Sequence, residues 1–186
     1  MKKLLLLMLM AVVMLPSVMR AQQQTLTVSD GTATNEYVPI YGYYADVDQH
    51  TQMVYPSTMF DNIQGAQISS ITFYSSDAYS FVDFTVKIGE VTASSFTSPS
   101  FFTNSLNTVY TGTITIAGGE MTINFTTPYL YEGGNLLIDF SNDGNVFHSC
   151  SFVGASASGG ALPACLCDSG ARRGLLRDGQ CRRALR

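Results

Sequence analysis

Residues 111–140 read TGTITIAGGEMTINFTTPYLYEGGNLLIDF, and three parts of this stretch alternate between apolar and polar residues. The apolar members are Ile114 and Ile116, then Met121, Ile123 and Phe125, and then Leu136, Ile138 and Phe140. A period of two predicts strands with one face in a core and the other in water, as in antiparallel sheets. Between the first two parts stands Gly118-Gly119, a pair that accepts the positive φ angles of a two-residue hairpin turn.

The same signals run through residues 22–162. All eighteen Thr and all twenty-one aromatic residues lie between Thr25 and Phe152, and these types fit a pleated, half-buried surface. In 82–88, Val82, Phe84, Val86 and Ile88 are predicted to share one face. We expect about nine or ten short strands, which favours an all-β, antiparallel two-sheet β-sandwich of jelly-roll type. A closed barrel is the structural alternative.

The first 21 residues predict a signal peptide. Lys2 and Lys3 precede an apolar run over residues 4–15, Pro16 ends that run, and Ala21 offers a small residue before Gln22. Twelve apolar residues suit the hydrophobic region of a secretory signal and are short for a membrane span. We therefore expect cleavage after Ala21 and a secreted or cell-surface location, with no stable membrane insertion after cleavage.

Charge is distributed unevenly along the chain. Residues 22–162 carry twelve Asp and Glu against one base, Lys87, a net charge of −11. Such a surface repels phosphate, which argues against nucleic acid as a partner, and it attracts cations. The charge leaves open the partners that we expect on other grounds, an extracellular glycan or a host or surface protein.

The composition changes after Leu162. Residues 163–186 contain six Arg, two Asp and three of the four Cys, and residues 164–186 contain no Val, Ile, Thr, Phe or Tyr. No alternation remains, so we expect an unstructured basic tail without a strand. Two alternatives stay open: a frameshifted end of the reading frame, or a metal site on Cys165, Cys167 and Cys181, whose spacing differs from that of common zinc sites.

No residue pattern predicts catalysis. His50 follows two Asp residues in a polar segment and is interpreted as a solvated loop histidine, whereas His148 alternates with Val146 and Cys150 and is expected on a strand face. Cys150 itself is expected to lie in a strand as a small buried hydrophobe. Paired carboxylates hydrolyse glycosides, and three acids fall on predicted solvent faces: Asp83, Glu120 and Asp139. Solvated strand charges are the preferred interpretation, and we predict no enzymatic activity.

Calcium is the cofactor that the sequence suggests. Asp139, Ser141 and Asp143, followed by Gly144, match the opening half of an oxygen-ligand calcium loop. Position twelve of the loop is Cys150 instead of Glu, and an ordinary Asp-Gly turn explains the same residues. Calcium therefore enters only as a candidate cofactor.

The segment YVPIYGYY, residues 37–44, is the strongest binding signal. Tyr41, Tyr43 and Tyr44 combine apolar rings with polar hydroxyls, which suits stacking on sugars and contacts with proteins. Alternatively, Tyr37, Tyr41 and Tyr43 share one parity and pack on one face of a sheet.

Several phrases together resemble a known family: NEYVPIYGYY (35–44), TQMVYP (51–56), ISSITFY (68–74), VKIGE (86–90) and TTPYLYEGGNLLIDF (126–140). They are similar to the cleaved-adhesin and MAM-like jelly-roll modules of secreted surface proteins from Gram-negative anaerobes. The resemblance covers roughly residues 25–160, and it implies noncatalytic adhesion or glycan binding. Such modules usually precede further domains, so the resemblance also implies a truncated fragment of a longer protein.

The sequence thus predicts a noncatalytic adhesion or carbohydrate-binding module. Two alternatives remain: an accessory domain of a secreted hydrolase whose catalytic part is missing, and a purely structural surface subunit.

Overall fold

A computed structural model describes residues 23–28, 34–35, 38–40, 49–96, 100–142, 148, 150–153 and 164–169. Within these ranges the chain forms nine strands, and the only helical segment is a 3₁₀ turn at Ser57–Met59. The strands are β1 Thr34–Asn35, β2 Gln49–Tyr55, β3 Gln67–Tyr74, β4 Tyr79–Val91, β5 Asn107–Ile116, β6 Glu120–Leu130, β7 Asn135–Asn142, β8 Phe152–Val153 and β9 Ala164–Ser169.

The strands form two antiparallel layers. Five of them pair in the order β5-β4-β7-β2-β9, and β3 pairs with β6; the short strands β1 and β8 form a separate pair. The main core lies between the layers, where Phe73 of β3 meets Phe140 of β7 edge to face at a centroid distance of 5.7 Å. The predicted all-β antiparallel sandwich is confirmed, while the jelly-roll topology stays a prediction.

The turn between β5 and β6 follows the sequence prediction. Gly118 and Gly119 adopt φ angles of 65° and 90°, and Ala117 and Glu120 exchange two backbone hydrogen bonds across the turn. Because β5 pairs with β4 and β6 pairs with β3, this tight turn carries the chain from one layer to the other. The buried and exposed residues of β6 alternate as predicted.

The predicted face of β4 was wrong at its first residue. Phe84, Val86 and Ile88 are buried, but Val82 is 55% exposed and Phe81 occupies the core in its place. Asp83 adopts a φ of 58°, and the register with β5 shifts between Phe81 and Phe84. This bulge inserts one extra residue into β4. The residues before it therefore point to the opposite face from the one that the alternation of Phe84, Val86 and Ile88 predicts.

β7 has no solvent face, contrary to the prediction. It lies between β4 and β2 in the larger sheet, and residues 136–140 are all buried. On its outer side, Val54, Val91 and Leu137 form a second apolar cluster with the partly buried Phe96, Phe102 and Leu106. We call residues 100–106 the covering segment, since they lie over the outer face of β2, β7 and β4.

The prediction that no strand follows Leu162 was also wrong. Ala164–Ser169 form β9, which pairs antiparallel with the edge of β2 from Gln49↔Ser169 to Val54↔Ala164. An unpaired sheet edge offers backbone donors and acceptors to any extended segment, so pairing there does not require an alternating side-chain pattern. The rest of the predicted basic tail, including Cys181, lies outside the described residues.

No helix in the described ranges is long and apolar enough to cross a membrane. The predicted signal peptide and its cleavage point lie outside those ranges.

Candidate binding site

The structure places only part of the predicted site. Tyr41, Tyr43 and Tyr44, offered as ligand-binding residues, lie outside the described residues, as does the predicted calcium ligand Asp143. The other two predicted calcium ligands, Asp139 and Ser141, belong to β7.

Register brings Asp139 and Ser141 beside polar residues of the two neighbouring strands. Asp139 is the Cα partner of Gln52 on β2 and of Lys87 on β4, so these three form a row across the sheet. Ser141 is the partner of His50 in the next row. Residues two apart on a strand share a face, so both rows point to the outer face beneath the covering segment.

Asp139 is a buried acceptor, and its assignment to a solvent face was wrong. It is only 4% exposed, and one carboxylate oxygen, Oδ2, accepts hydrogen bonds from His50 Nε2 at 2.6 Å and Gln52 Nε2 at 2.7 Å. The interpretation of His50 as a loop residue was also wrong, because it lies in β2. Hydrogen bonds to an ionised group are stronger than neutral ones, so this carboxylate fixes both neighbours.

The amide of Gln52 holds the covering segment in place. Its Nε2 donates to the Phe102 carbonyl at 3.1 Å, and its Oε1 accepts from the Phe102 N–H at 2.8 Å. The side chain therefore satisfies Phe102 as a neighbouring strand would. Phe101 then stacks on the His50 ring, with centroids 3.9 Å apart and planes 16° from parallel.

These contacts leave a cleft of about 310 Å³ on the outer face of the sheet. We call it the outer cleft; it is lined by His50, Gln52, Lys87, Phe102, Asn104, Leu106, Asp139 and Ser141. Lys87, the single Lys or Arg of residues 22–162, makes no ion pair in the part of the chain that the structure describes. The cleft thus offers ammonium, amide, hydroxyl and imidazole groups next to apolar surface.

Sequence reasoning missed the outer cleft for a specific reason. Alternation placed Asp139 off the core face correctly, but it carried no information about a segment covering that face. The solitary Lys87 was an available signal, because a single base among twelve acids stands out in composition.

Glu90 forms a second polar cluster, at the turn before β7. One carboxylate oxygen accepts hydrogen bonds from Tyr129 Oη at 3.1 Å and the Glu132 N–H at 2.7 Å, and the other accepts from the Gly134 N–H. Burial, reinforced by the adjacent Glu90 charge, raises the pKa of Tyr129 above its ordinary value. All these acceptors are used within the protein, so the cluster fixes the turn.

Asp77 forms a third polar cluster near Cys150. Its Oδ2 accepts from the Ser151 N–H at 2.7 Å, and Ser75 Oγ donates to the Ser151 carbonyl at 2.7 Å. Burial, and then the Asp77 charge, raise the pKa of the Cys150 thiol to about 12. Cys150 is buried as predicted, but it lies outside a strand.

His148 is not on a strand face, contrary to the prediction. It lies outside the strands and stacks on Tyr79 at a centroid distance of 3.9 Å, with the two planes 3° apart. Among the described residues, no group of three or more His, Cys, Asp or Glu side chains could hold a metal ion. The calcium site therefore stays a prediction.

Comparison with protein-family models, with curated proteins and with solved structures found no match to this chain.

Proposed function

We propose that this protein is an exported, noncatalytic module for adhesion or carbohydrate binding, and that the outer cleft receives its ligand. The observation that carries the proposal is the convergence of Lys87, His50, Asn104 and Ser141 in one cleft beside Phe102. The cleft brings the single Lys or Arg of residues 22–162 together with amide, hydroxyl and imidazole groups on one face of the sheet.

The chemistry of the cleft suits a sugar. A sugar ring presents hydroxyls that need donors and acceptors, together with C–H faces that favour apolar or aromatic surface. Asn104, Ser141 and Lys87 supply the polar groups, and Leu106 and Phe102 supply the apolar wall. A volume of about 310 Å³ lies at the small end of ligand pockets, which suits one ring of a longer chain.

The cleft is built to keep its shape. Gln52 and Asp139, at its base, are 1% and 4% exposed, and their hydrogen bonds tie three strand positions to the covering segment. A preorganised site loses less conformational entropy when a ligand binds.

Other features support an extracellular place of action. The first 21 residues have the pattern of a secretory signal, and the acidic surface of residues 22–162 keeps a protein soluble. The resemblance to cleaved-adhesin and MAM-like jelly-roll modules points the same way, toward a surface protein that binds without catalysis.

A glycan array probed with the exported protein tests the proposal. We expect a defined set of glycans to bind, and Asn104→Ala to weaken that binding. Asn124→Ala is the matched control, because Asn124 is exposed on β6 in the other sheet. Absence of glycan binding, or equal loss in both variants, would contradict the proposal.

One observation favours a second candidate function, a hydrolase that carries its own catalytic residues, in place of the predicted accessory domain whose catalytic part is missing. The 2.6 Å contact between His50 and Asp139 resembles the base and orienting acid of a catalytic site. Hydrolysis of glycoside or peptide substrates that is lost in Asp139→Asn, with the variant still folded, would favour this alternative over a binding module.

A further inference from the structure

We propose that the ligand of the outer cleft is a sugar ring bearing a carboxylate, and that Lys87 recognises that carboxylate. This inference rests on the proposed function and specifies its ligand class.

The first argument is the unused charge of Lys87. Its neighbour across the strands, Asp139, directs Oδ2 to His50 and Gln52, and no ion pair within 4.0 Å joins Lys87 to an acid among the described residues. Residues 22–162 hold twelve acids, and one of them, Asp139, lines the same cleft, yet none of the acids that the structure describes forms an ion pair with this ammonium. Its charge is therefore available to a bound molecule.

The second argument is desolvation. A ligand that fills the cleft removes water from the lining groups, and a charged group that loses water without gaining a partner is penalised. The hydroxyls of a neutral sugar can accept hydrogen bonds from Lys87, but they offset only part of that cost, because a neutral acceptor binds an ammonium more weakly than an ionised one. A carboxylate offsets it with a charge-assisted hydrogen bond, so the acidic sugar gains affinity relative to its neutral counterpart.

The third argument is the charge of the whole domain, which limits how much negative charge the ligand carries. Residues 22–162 have a net charge of −11, and this repels highly charged polyanions. Salt screens such repulsion beyond about 8 Å at physiological ionic strength, whereas a direct contact with Lys87 is screened less. One carboxylate at the cleft satisfies both conditions, and a densely sulfated chain satisfies only the local one.

The remaining lining groups fit the hydroxyls of the same ring. The Asn104 amide can donate and accept, and so can the Ser141 hydroxyl. Leu106 and Phe102 border the cleft on the side of the covering segment, where they would meet the C–H groups of the ring.

The test compares matched sugars by calorimetry on the full exported protein. Galacturonate and glucuronate are titrated beside galactose and glucose, which carry a hydroxymethyl group in place of the carboxylate. We expect the better acidic sugar to bind at least tenfold more tightly than its neutral counterpart. Lys87→Gln should weaken it by about ten- to a hundredfold, the range for a hydrogen bond to a charged group. Lys87→Arg should restore much of the loss.

Two controls separate the possible failures. Glu120→Gln changes a charge on an exposed position of β6 and should leave binding unchanged. Circular dichroism checks that Lys87→Gln folds; if it does not, the comparison of acidic with neutral sugars on the unaltered protein decides alone.

Each outcome has one meaning. Binding of neutral sugars as tightly as acidic ones overturns the role of Lys87 but leaves the proposed function standing. Direct binding of an aspartate-containing peptide in the same calorimeter, with no binding of either uronate, overturns the sugar in favour of a protein ligand. Failure of every glycan on the array, of every sugar in solution and of the peptide overturns the proposed function itself.

Discussion

At the residue scale, the side-chain amide of Gln52 connects the larger sheet to the segment that covers it. It makes two hydrogen bonds with the Phe102 backbone and one with Asp139, and it is 1% exposed. Removing it leaves three buried or half-buried polar groups with one partner fewer.

Gln52→Ala should lower the free energy of unfolding by about 2–3 kcal/mol, because buried polar groups left without partners cost about 1–3 kcal/mol each and water restores some contacts. Urea denaturation measures the change. Gln67→Ala, at an exposed position of β3, should stay within about 0.5 kcal/mol of the original protein. Equal effects of the two substitutions would show that the amide does not hold the covering segment.

The neighbouring Thr51 should respond in the opposite direction. Its side chain is fully buried, and its hydroxyl oxygen has no hydrogen-bond partner among the described residues. Thr51→Val keeps the shape and removes the unsatisfied group, so we expect the protein to gain about 1 kcal/mol of stability. A lower urea midpoint for Thr51→Val would contradict this expectation.

Cys150 should make stability depend on alkaline pH. Its pKa rises from 9.0 to about 12 on folding, so the unfolded chain releases the thiol proton first. The resulting stabilisation is complete below pH 9 and is lost as pH rises toward 12, at up to about 1.4 kcal/mol per pH unit. Tyr129, whose pKa is raised from 10.0, adds the same trend at higher pH.

Urea midpoints at pH 8, 9 and 10 measure this effect. The original protein should lose stability between pH 9 and 10, and Cys150→Ala should lose less over the same interval. Parallel curves for the two proteins would contradict the assignment to Cys150.

At the scale of elements, Glu90 of β4 fixes the turn that leads into β7. Glu90→Gln replaces a charged acceptor of three hydrogen bonds by a neutral amide and should lower the free energy of unfolding by about 1–3 kcal/mol. Glu120→Gln, exposed on β6, should change it little. Equal losses of unfolding free energy for the two substitutions would contradict the role of Glu90 in fixing the turn.

The buried and exposed faces of a strand were predictable where they depend only on the sequence of that strand. Met121, Ile123 and Phe125 alternate because β6 has one covered face, and a local pattern records that. Val82 was misassigned because the bulge at Asp83 depends on pairing with β5. The Asp83 side chain gives little local warning of its left-handed φ, although Asp tolerates that region better than most residues.

At the scale of the whole molecule, the outer cleft depends on distances that no sequence window contains. His50 and Asp139 are 89 positions apart, and Gln52 reaches Phe102 across 50 positions. Alternation in 136–140 placed Asp139 off the core face, but it did not indicate which strands lie beside β7. The cleft therefore emerges only when β2, β7 and β4 pair side by side.

Calcium binding is the prediction that belongs to the whole molecule, since a net charge of −11 over residues 22–162 attracts cations. A ligand that binds only the folded state raises the melting temperature, so a calcium site at Asp139, Ser141 and Asp143 requires a rise with millimolar calcium and a fall with chelator. A melting temperature that neither calcium nor chelator changes would contradict the site, in which Oδ2 of Asp139 already accepts two hydrogen bonds. A rise that Asp143→Asn abolishes would establish the site instead.

Each of the two histidines stacks on another aromatic ring, and this stacking should be visible by NMR spectroscopy. Phe101 lies over the His50 ring and Tyr79 lies over the His148 ring, so ring currents should shield the imidazole protons of both. The chain has only these two histidines, so its proton spectrum holds two imidazole Hε1 signals to assign. The His50 signal reports on the outer cleft, and the His148 signal serves as an internal reference. A molecule that binds in the cleft should therefore shift the His50 signal alone.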